Sequence, residues 1–282
     1  MYSIYLDEDN IEMYMEYIGE DVAENIGRTF FRGMIIADGE TPLAGIVWEN
    51  RNMTQDAYNE AHIIWLRIED DEAGDMLFSE YSESISEDEI VKSEYSLPAM
   101  STSREKEALR KAGFTALFTE GDLIKARLSE IAALKPFQKV HPSENIHALK
   151  TMTQRGFTAA VRSFVLKGKY GICEDLHYLP RSYFENDISC YSEANGEVNG
   201  IFLFHKKPSG GLEVVVMAAI GNDYGKILPE MIRFSVSNTM ELYSDETEVL
   251  IDRHNYATLA LSEKLFPRGF GIPVYVGSRQ EK

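Results

Sequence analysis

The sequence is poor in cysteine, with only Cys173 and Cys190 among 282 residues. Their number and spacing fit neither a zinc site nor a disulfide framework. Long apolar runs are also missing, since the longest aliphatic stretch, residues 214–220, has seven residues and a membrane span needs roughly 20. The first residues, MYSIYLDEDN, lack the basic and apolar regions of a secretory signal. We therefore expect a cytoplasmic protein with buried free thiols and no membrane partner.

Basic residues are scarce in the first half of the chain. Residues 1–130 contain 11 Lys and Arg against 29 Asp and Glu, a net charge of −18, whereas residues 131–282 contain 17 of each. Nucleic-acid binding is driven by Lys and Arg that neutralise phosphates, so this half disfavours a nucleic-acid partner. A strongly negative field raises the encounter rate of cations. The charge therefore favours a cationic partner, such as a small-molecule or peptide amine.

Several catalytic motifs are absent as well. The sequence contains no HExxH, paired CxxC, GxSxG or GxGxxG, and its six histidines show no close ligand spacing. The segment GNDYGKI is one residue short between its glycines for a phosphate-binding P-loop and lacks the hydroxyl residue after the lysine. Zinc peptidase, α/β-hydrolase, Rossmann and P-loop functions have no support, and no metal site is predicted.

What is present is an ordinary globular composition, with 44% hydrophobic and 26% charged residues. The length suggests two domains. ADGETPLAGI (37–46) matches ANGEVNGI (194–201) after a two-residue gap, and KAGF (111–114) aligns with KLFP (264–267). The matching intervals predict a duplicated α/β unit, although matches this short also occur by chance. We divide the chain into residues 1–130, a connector at 131–145, and residues 146–282.

Hydrophobic periodicity and turn signals predict the same order of elements in both halves. The first half has an amphipathic helix over 10–28, a hairpin around Asp38-Gly39, a central strand at 61–68, a helix to about 89, a strand, a helix from Thr102 and a closing hairpin within 114–128. The second half has a helix capped by Ser143, a helix at 157–167, a hairpin around Asn195-Gly196, a strand at 212–219, a helix through Leu228, a strand at 248–252, a helix at 256–265 and a last strand.

This order of elements resembles the tandem GNAT (GCN5-related N-acetyltransferase) family. The hairpin ANGEVNGIFLF, the strand EVVVMAA and the segment EVLIDRHN carry the resemblance. It implies an α/β fold with two GNAT-like domains, each a mostly antiparallel twisted sheet flanked by helices. It also implies an N-acyltransferase that uses acetyl-CoA or another acyl-CoA as co-substrate, needs no metal and acylates an amine.

The resemblance places the acyl-CoA site in the second half. In the family, the pantetheine arm bonds to the backbone of the splayed central strand, here Val216, Met217 and Ala218. A loop of pattern Q/R-x-x-G-x-G/A at the next helix start holds the pyrophosphate, because its free N–H groups and dipole attract anions. The matching residues are Asn222, Gly225, Lys226 and Ile227. Asn222 replaces Gln/Arg and Ile227 replaces the last Gly/Ala, so the alternative is a turn with no ligand.

In the first half the matching segment opens with four consecutive carboxylates, residues 69–72. Such a segment opposes a pyrophosphate, and its charges instead stabilise a helix start. We therefore expect this half not to bind CoA.

The catalytic residues are harder to assign from the resemblance. The family pattern N-x-x-A-x-x-x-Y-x-x-x-G-F begins here at Asn255, which we count with the cofactor-binding residues, and it puts Ser262 at the tyrosine. The candidate bases are Glu213 on the central strand and His254, and Tyr256 is a displaced acid. Each of these three side chains has the alternative of a solvated or loop residue. A catalytically inactive binding or regulatory scaffold is therefore the competing interpretation, and an aminoacyl transferase built from duplicated GNAT-like domains is a third.

Overall fold

The computed structural model describes residues 1–28, 30–52, 59–98, 103–115, 118–137, 144–167, 176, 179–221, 223–253, 262–263, 265–266 and 270–281. The chain forms two compact units, one made of Met1–Leu123 with Arg253–Lys282 and the other of Ile124–Asp252. The first unit thus includes residues from the C-terminal end of the chain. The boundaries at residues 130 and 145, which divide the chain into two halves of a duplicated sequence, remain a prediction. None of the helices in these ranges is long and apolar enough to cross a membrane.

The strands, in chain order, are β1 (Tyr2–Tyr5), β2 (Phe31–Asp38), β3 (Thr41–Asn52), β4 (Asn59–Ile68), β5 (Lys92–Pro98), β6 (Phe118–Arg127), β7 (Ile146–Ala148), β8 (Cys190–Ala194), β9 (Glu197–Lys206), β10 (Leu212–Ala219), β11 (Glu248–Asp252) and β12 (Ile272–Gln280). The helices are α1 (Ile11–Ile18), α2 (Glu20–Ala23), α3 (Asp71–Glu87), α4 (Ser103–Lys111), α5 (Leu128–Ala132), α6 (Gln154–Leu166) and α7 (Tyr224–Leu242).

The sheet of the first unit has the strand order β1-β2-β3-β4-β5-β12-β6. Its strands alternate between two apolar faces, as the two-residue period of a strand requires. On β3, Trp48 packs edge-to-face on Tyr81 of α3, with ring centroids 5.1 Å apart, whereas Val47 belongs to the cluster formed with α1. The strand predicted at 61–68 is therefore buried between two layers as β4.

The single helix predicted over residues 10–28 is wrong. The first helix ends at Ile18 because Gly19 has φ 90°, a left-handed conformation that glycine adopts without strain. A second short helix, α2, then follows directly. The apolar stripe continued across this break and concealed it in the sequence.

The last strand, β12, lies between β5 and β6 of the first unit. It pairs antiparallel with β5 from Val274↔Pro98 to Gln280↔Lys92. Arg279 anchors the strand, since its guanidinium lies 5.0 Å from the centre of the Phe114 ring and donates to the Ala112 carbonyl at 2.8 Å.

The hairpin predicted within 114–128 is also wrong, because residues 118–127 form one strand, β6.

The sheet of the second unit has the strand order β11-β10-β9-β8-β7. Helix α6 packs on one face of the sheet, where Phe157 and Phe164 join Leu203 and Val216 in one cluster. The Asn195-Gly196 turn between β8 and β9 has φ 54° and 78°, the left-handed pair expected from this dipeptide. The predicted hairpin and the strand at 212–219 are confirmed.

The helix predicted after Ser143 is wrong where the structure describes it, since residues 146–148 form β7 and Leu149–Thr151 form a 3₁₀ turn. Arg181 explains the difference. Its Nη1 donates to the carbonyls of Leu149, Lys150 and Met152, so these groups are satisfied without an α-helix. Ser143 itself lies outside the described residues, and α6 confirms the second predicted helix.

Cys190 is a buried free thiol, as predicted. Burial raises the pKa of the Cys190 thiol to about 12, and its Sγ lies 3.5 Å from Ser235 Oγ. The thiol therefore stays protonated at neutral pH and acts as a core side chain. Cys173 lies outside the described residues.

The β5–β12 register predicts a specific steric coupling. A Cβ at Gly277 would overlap the Tyr95 side chain, touching Oη and lying 2.6 Å from Cε1 and Cζ, so Gly277→Ala should destabilise the protein by about 1–3 kcal/mol. Tyr95→Ala removes the whole ring and should itself cost about 3–5 kcal/mol, but it should remove most of the added cost of Gly277→Ala. Urea unfolding of the two single variants and the double variant measures the coupling. Additive costs would contradict the register.

Candidate functional site

The central strand of the second unit separates from its parallel neighbour after a short paired stretch. β10 and β11 pair at Leu212↔Val249 and Glu213↔Leu250, where their register ends within the described residues. β10 continues to Ala219 in antiparallel pairing with β9. The register with β9 shifts between Val214 and Val216, so β10 has a bulge directly beyond the last β11 pair. A bulge bends and twists a strand, which turns β10 away from β11.

The residues predicted to bind the pantetheine arm lie beyond this bulge. Val216 is buried in the cluster under α6, whereas Met217 and Ala218 are partly buried. All three pair with β9 on one side. On the other side they follow the last described pair with β11.

The start of α7 is exposed and carries little capping. Asp223 occupies the N-cap position without a side-chain capping hydrogen bond. A Cβ at Gly225 would meet no atom within 4 Å. The Lys226 side chain is 85% exposed, with Nζ 4.0 Å from Asp223 Oδ1. The N–H groups of Lys226 and Ile227 both donate to the Asp223 carbonyl. A helix start of this kind suits an anion, because the N–H groups before them have no intrahelical acceptor and the helix dipole is positive at this end. Asn222 lies outside the described residues.

Ile227 points toward the sheet from the first turns of α7. It is buried, and a Cβ at Gly200 on β9 would lie 2.8 Å from Ile227 Cγ2. The missing side chain of Gly200 therefore makes room for an isoleucine where the family loop has a small residue. Sequence reasoning used Gly200 only to align the two hairpins and missed this contact.

Glu213 is the last residue of β10 that pairs with β11. Its carboxylate lies 2.8 Å from Lys207 Nζ, and its side chain is 37% exposed. Across the hairpin it faces His205, whose Nδ1 lies 2.8 Å from the Tyr183 carbonyl and whose ring stacks on Tyr183 at 3.9 Å. Sequence reasoning identified Glu213 but missed Lys207 and His205, which only the register of the hairpin brings beside it.

The other predicted catalytic residues follow Arg253. His254, Asn255 and Tyr256 lie outside the described residues. Arg253 is fully buried and pairs with Asp122 through two hydrogen bonds of 2.7 Å. Ser262, at the position of the family tyrosine, is buried and lies 3.4 Å from Arg253 Nη1. Its hydroxyl therefore belongs to a packed polar network.

The first unit has the same kind of strand separation, but side chains take up its backbone donors. β4 and β5 pair from Glu60↔Lys92 to Ile63↔Tyr95, and β4 is bulged just beyond. The Ile68 N–H donates to the Glu105 carboxylate of α4 at 2.9 Å, and Glu105 is only 3% exposed. At the start of α3 the Asp70 carboxylate accepts from the Ala73 N–H at 2.9 Å.

The space beside this helix start is also small. A cavity of about 20 Å³ is lined by Ile68, Asp71, Asp75, Arg104, Glu107, Ala108 and Lys111. Such a volume holds about one water molecule. That the first unit does not bind CoA stays a prediction.

Solved structures of known proteins share this architecture along the whole chain. A tandem GNAT protein from the clavulanic acid biosynthesis pathway superposes with a TM-score of 0.68 at 8% identity, covering 100% of this chain and 98% of its own. The chain has the tandem GNAT fold. A GCN5-related N-acetyltransferase from Sphaerobacter thermophilus gives a TM-score of 0.61 at 11% identity, covering 99% of this chain and 96% of its own.

A probable N-acyltransferase from Enterococcus faecalis V583 also matches, with a TM-score of 0.53 at 12% identity, covering 99% of this chain and 72% of its own. The sequence itself matches no protein-family model and no curated protein. At these identities the likeness confirms the predicted fold class, two GNAT-like domains with mostly antiparallel sheets flanked by helices.

The Glu105 contact gives a matched pair of variants. Glu105→Ala should destabilise the protein by about 1–3 kcal/mol, because it leaves the buried Ile68 N–H without its acceptor. Glu107→Ala, on the same helix, removes only an exposed contact with Arg110 and should leave stability almost unchanged. Thermal and urea unfolding compare the two variants. Equal losses of stability in the two variants would show that the Glu105 carboxylate is not a needed acceptor for the Ile68 N–H.

Proposed function

We propose that the chain is an acyl-CoA-dependent N-acyltransferase with its site in the second unit. The observation that carries this proposal is the separation of β10 from β11 after Glu213, which leads along β10 to the uncapped start of α7. The co-substrate is acetyl-CoA or another acyl-CoA, and the acceptor is a small-molecule or peptide amine. The proposal includes no metal, no nucleic acid and no membrane partner, and it places the protein in the cytoplasm.

The chemical groups of the second unit fit such a co-substrate. The backbone of Val216, Met217 and Ala218 is suited to the amide-rich pantetheine arm, as the edge of a strand offers both donors and acceptors. The first turn of α7, with Gly225 and Lys226, is suited to the pyrophosphate. Asn222 and Ile227 complete the proposed binding set of the second unit, and Ile227 acts by packing α7 on Gly200. Asn255 lies outside the described residues, and its role in binding stays a prediction. When bound, an acyl-CoA supplies an activated thioester acyl group.

Glu213 is the proposed general base. It lies at the point where β10 and β11 begin to separate, and its half-exposed carboxylate already accepts from an ammonium group, that of Lys207. A base in this position takes the proton of an acceptor amine and leaves a neutral nucleophile. His254 and Tyr256 stay in the proposal as a second base and as the acid that returns a proton to the CoA thiolate.

The first unit has a different role in this proposal. Glu105 and Asp70 occupy its backbone donors, and residues 1–130 carry the excess acid of the chain. This acid attracts a cationic amine by its field and does not hold the co-substrate.

A tandem scaffold without catalysis is the second candidate. The buried Ser262 favours it, because a serine in contact with Arg253 stands at the position of the family tyrosine. A scaffold of this kind binds acetyl-CoA, or a partner, without transferring an acyl group. Release of free CoA thiol in the presence of polyamines, aminoglycosides or lysine peptides separates the two candidates.

Acetyl-CoA titration tests the binding site directly. Isothermal calorimetry should show micromolar affinity, and Lys226→Glu should weaken it about tenfold because a negative charge replaces a positive one beside the pyrophosphate. Lys167→Glu is the matched control, since Lys167 is also an exposed lysine of the second unit that pairs with a carboxylate. No heat at millimolar acetyl-CoA would refute the site.

Gly225→Ala should change stability and binding in opposite directions. Alanine has open space at this position and should stabilise the helix start by up to about 1 kcal/mol. The added methyl group should weaken acetyl-CoA binding, because it keeps the phosphates away from the backbone N–H groups. Calorimetry and thermal unfolding of one preparation measure both effects. Unchanged affinity would remove Gly225 from the proposed site.

A further inference from the structure

Lys207 places an amine beside the proposed general base. It begins the turn that joins β9 to β10, where its N–H donates to the Gly211 carbonyl and its carbonyl accepts from the Gly210 N–H, both at 2.8 Å. From this fixed backbone its side chain, 13% exposed, brings Nζ to 2.8 Å from Glu213 Oε2. Both members of the pair are therefore held on one rigid hairpin.

The neighbouring lysine lies on the other face of the sheet. Side chains alternate between the two faces of a strand. The Lys206 side chain is therefore on the opposite face from that of His205, which pairs with Glu213. Lys206 is exposed, and its Nζ lies 5.9 Å from the Tyr243 ring. Two adjacent lysines thus differ in the one property that matters for acyl transfer, contact with Glu213.

We propose that Lys207 is a site of intramolecular acetylation, in which Glu213 activates its amine for transfer of the acyl group from bound acyl-CoA. This inference rests on the proposed function, because it needs both the co-substrate and the base. Glu213 lies next to residues 216–218 of β10, the stretch proposed to hold the pantetheine arm. An amine held on Glu213 is therefore already in the position that an acceptor must reach.

The reaction balances with acetyl-CoA as the only co-reactant. Glu213 takes one proton from the Lys207 ammonium, and the neutral Nζ attacks the thioester carbonyl. The N–C amide bond forms as the C–S bond breaks, the second proton of the amine goes to the CoA thiolate, and Glu213 releases the first proton to solvent. The products are acetyl-lysine and free CoA thiol.

The product stays attached to the chain, so the reaction stops after one transfer. Acetylation also removes the positive charge of Lys207 and with it the ion pair to Glu213. A free amine that displaces Lys207 from Glu213 should suppress the modification.

The experiment incubates the full chain with acetyl-CoA in the absence of added amine and measures acetylation of each lysine by peptide mass spectrometry. Lys207 should approach one acetyl group per chain, ahead of the more exposed Lys206 and Lys226. The rate should not depend on protein concentration, since the transfer is intramolecular. Acetyl phosphate, which lacks the nucleotide, should instead acetylate lysines in order of their exposure.

Two variants separate catalysis from chemical acetylation. Glu213→Gln should slow acetylation of Lys207 by about 100-fold, the usual loss on removing a general base, and circular dichroism checks its fold. Lys206→Arg should leave the rate at Lys207 unchanged. Acetylation by acetyl-CoA in order of exposure, an unchanged rate in Glu213→Gln, or a rate that rises with protein concentration would each overturn the inference.

Calorimetry on the same samples distinguishes this failure from failure of the proposed function. Acetyl-CoA binding without acetylation of Lys207 overturns the modification site and leaves the acyltransferase standing. Absence of acetyl-CoA binding overturns both.

Discussion

The site of the second unit depends on how few parallel pairs join β10 to β11. Within the described residues the two strands share two pairs, and the bulge at Val214–Val216 bends β10 at once. A parallel pair of strands that stayed in register would satisfy its backbone groups internally and offer no place for a ligand. Beyond Glu213, the described residues of β10 pair with β9 alone. Glu213 is therefore the last residue of β10 in the described pairing with β11.

The two units share the same backbone arrangement of central strand and following helix, but their side chains give the helix start opposite chemistry. Both central strands are bulged just past their last parallel pair. In the first unit Glu105 and Asp70 use carboxylates to satisfy the backbone near the helix start. In the second unit the helix start has an exposed lysine and a glycine with open space around it. The fold therefore permits anion binding without requiring it.

Local signals in the sequence predicted much of this structure. Asn195-Gly196 marked its hairpin because both residues adopt positive φ, and the apolar run 212–219 marked β10. Other predictions failed because a distant partner decides the outcome. Arg181 satisfies carbonyls that the sequence assigned to a helix, and β12 finds its partners about 150 residues or more away in β5 and β6. The secondary-structure propensity of a short segment contains no information about contacts with distant residues.

The candidate site divides in the same way. Glu213 was identified from its position on the predicted central strand, which is local information. Its contact with Lys207 depends on the turn at Gly210 and Gly211, and the room for Ile227 depends on Gly200 in another strand. A pattern of residue types along the chain records neither contact.

The position of β12 also has a consequence for biosynthesis. Residues 1–123 leave the ribosome long before residues 272–280, yet the sheet of the first unit contains both. Until residues 272–280 have been made, β5 and β6 lack the strand that lies between them, and open strand edges invite aggregation. The sheet of the first unit therefore cannot be completed during synthesis of the residues that form most of it.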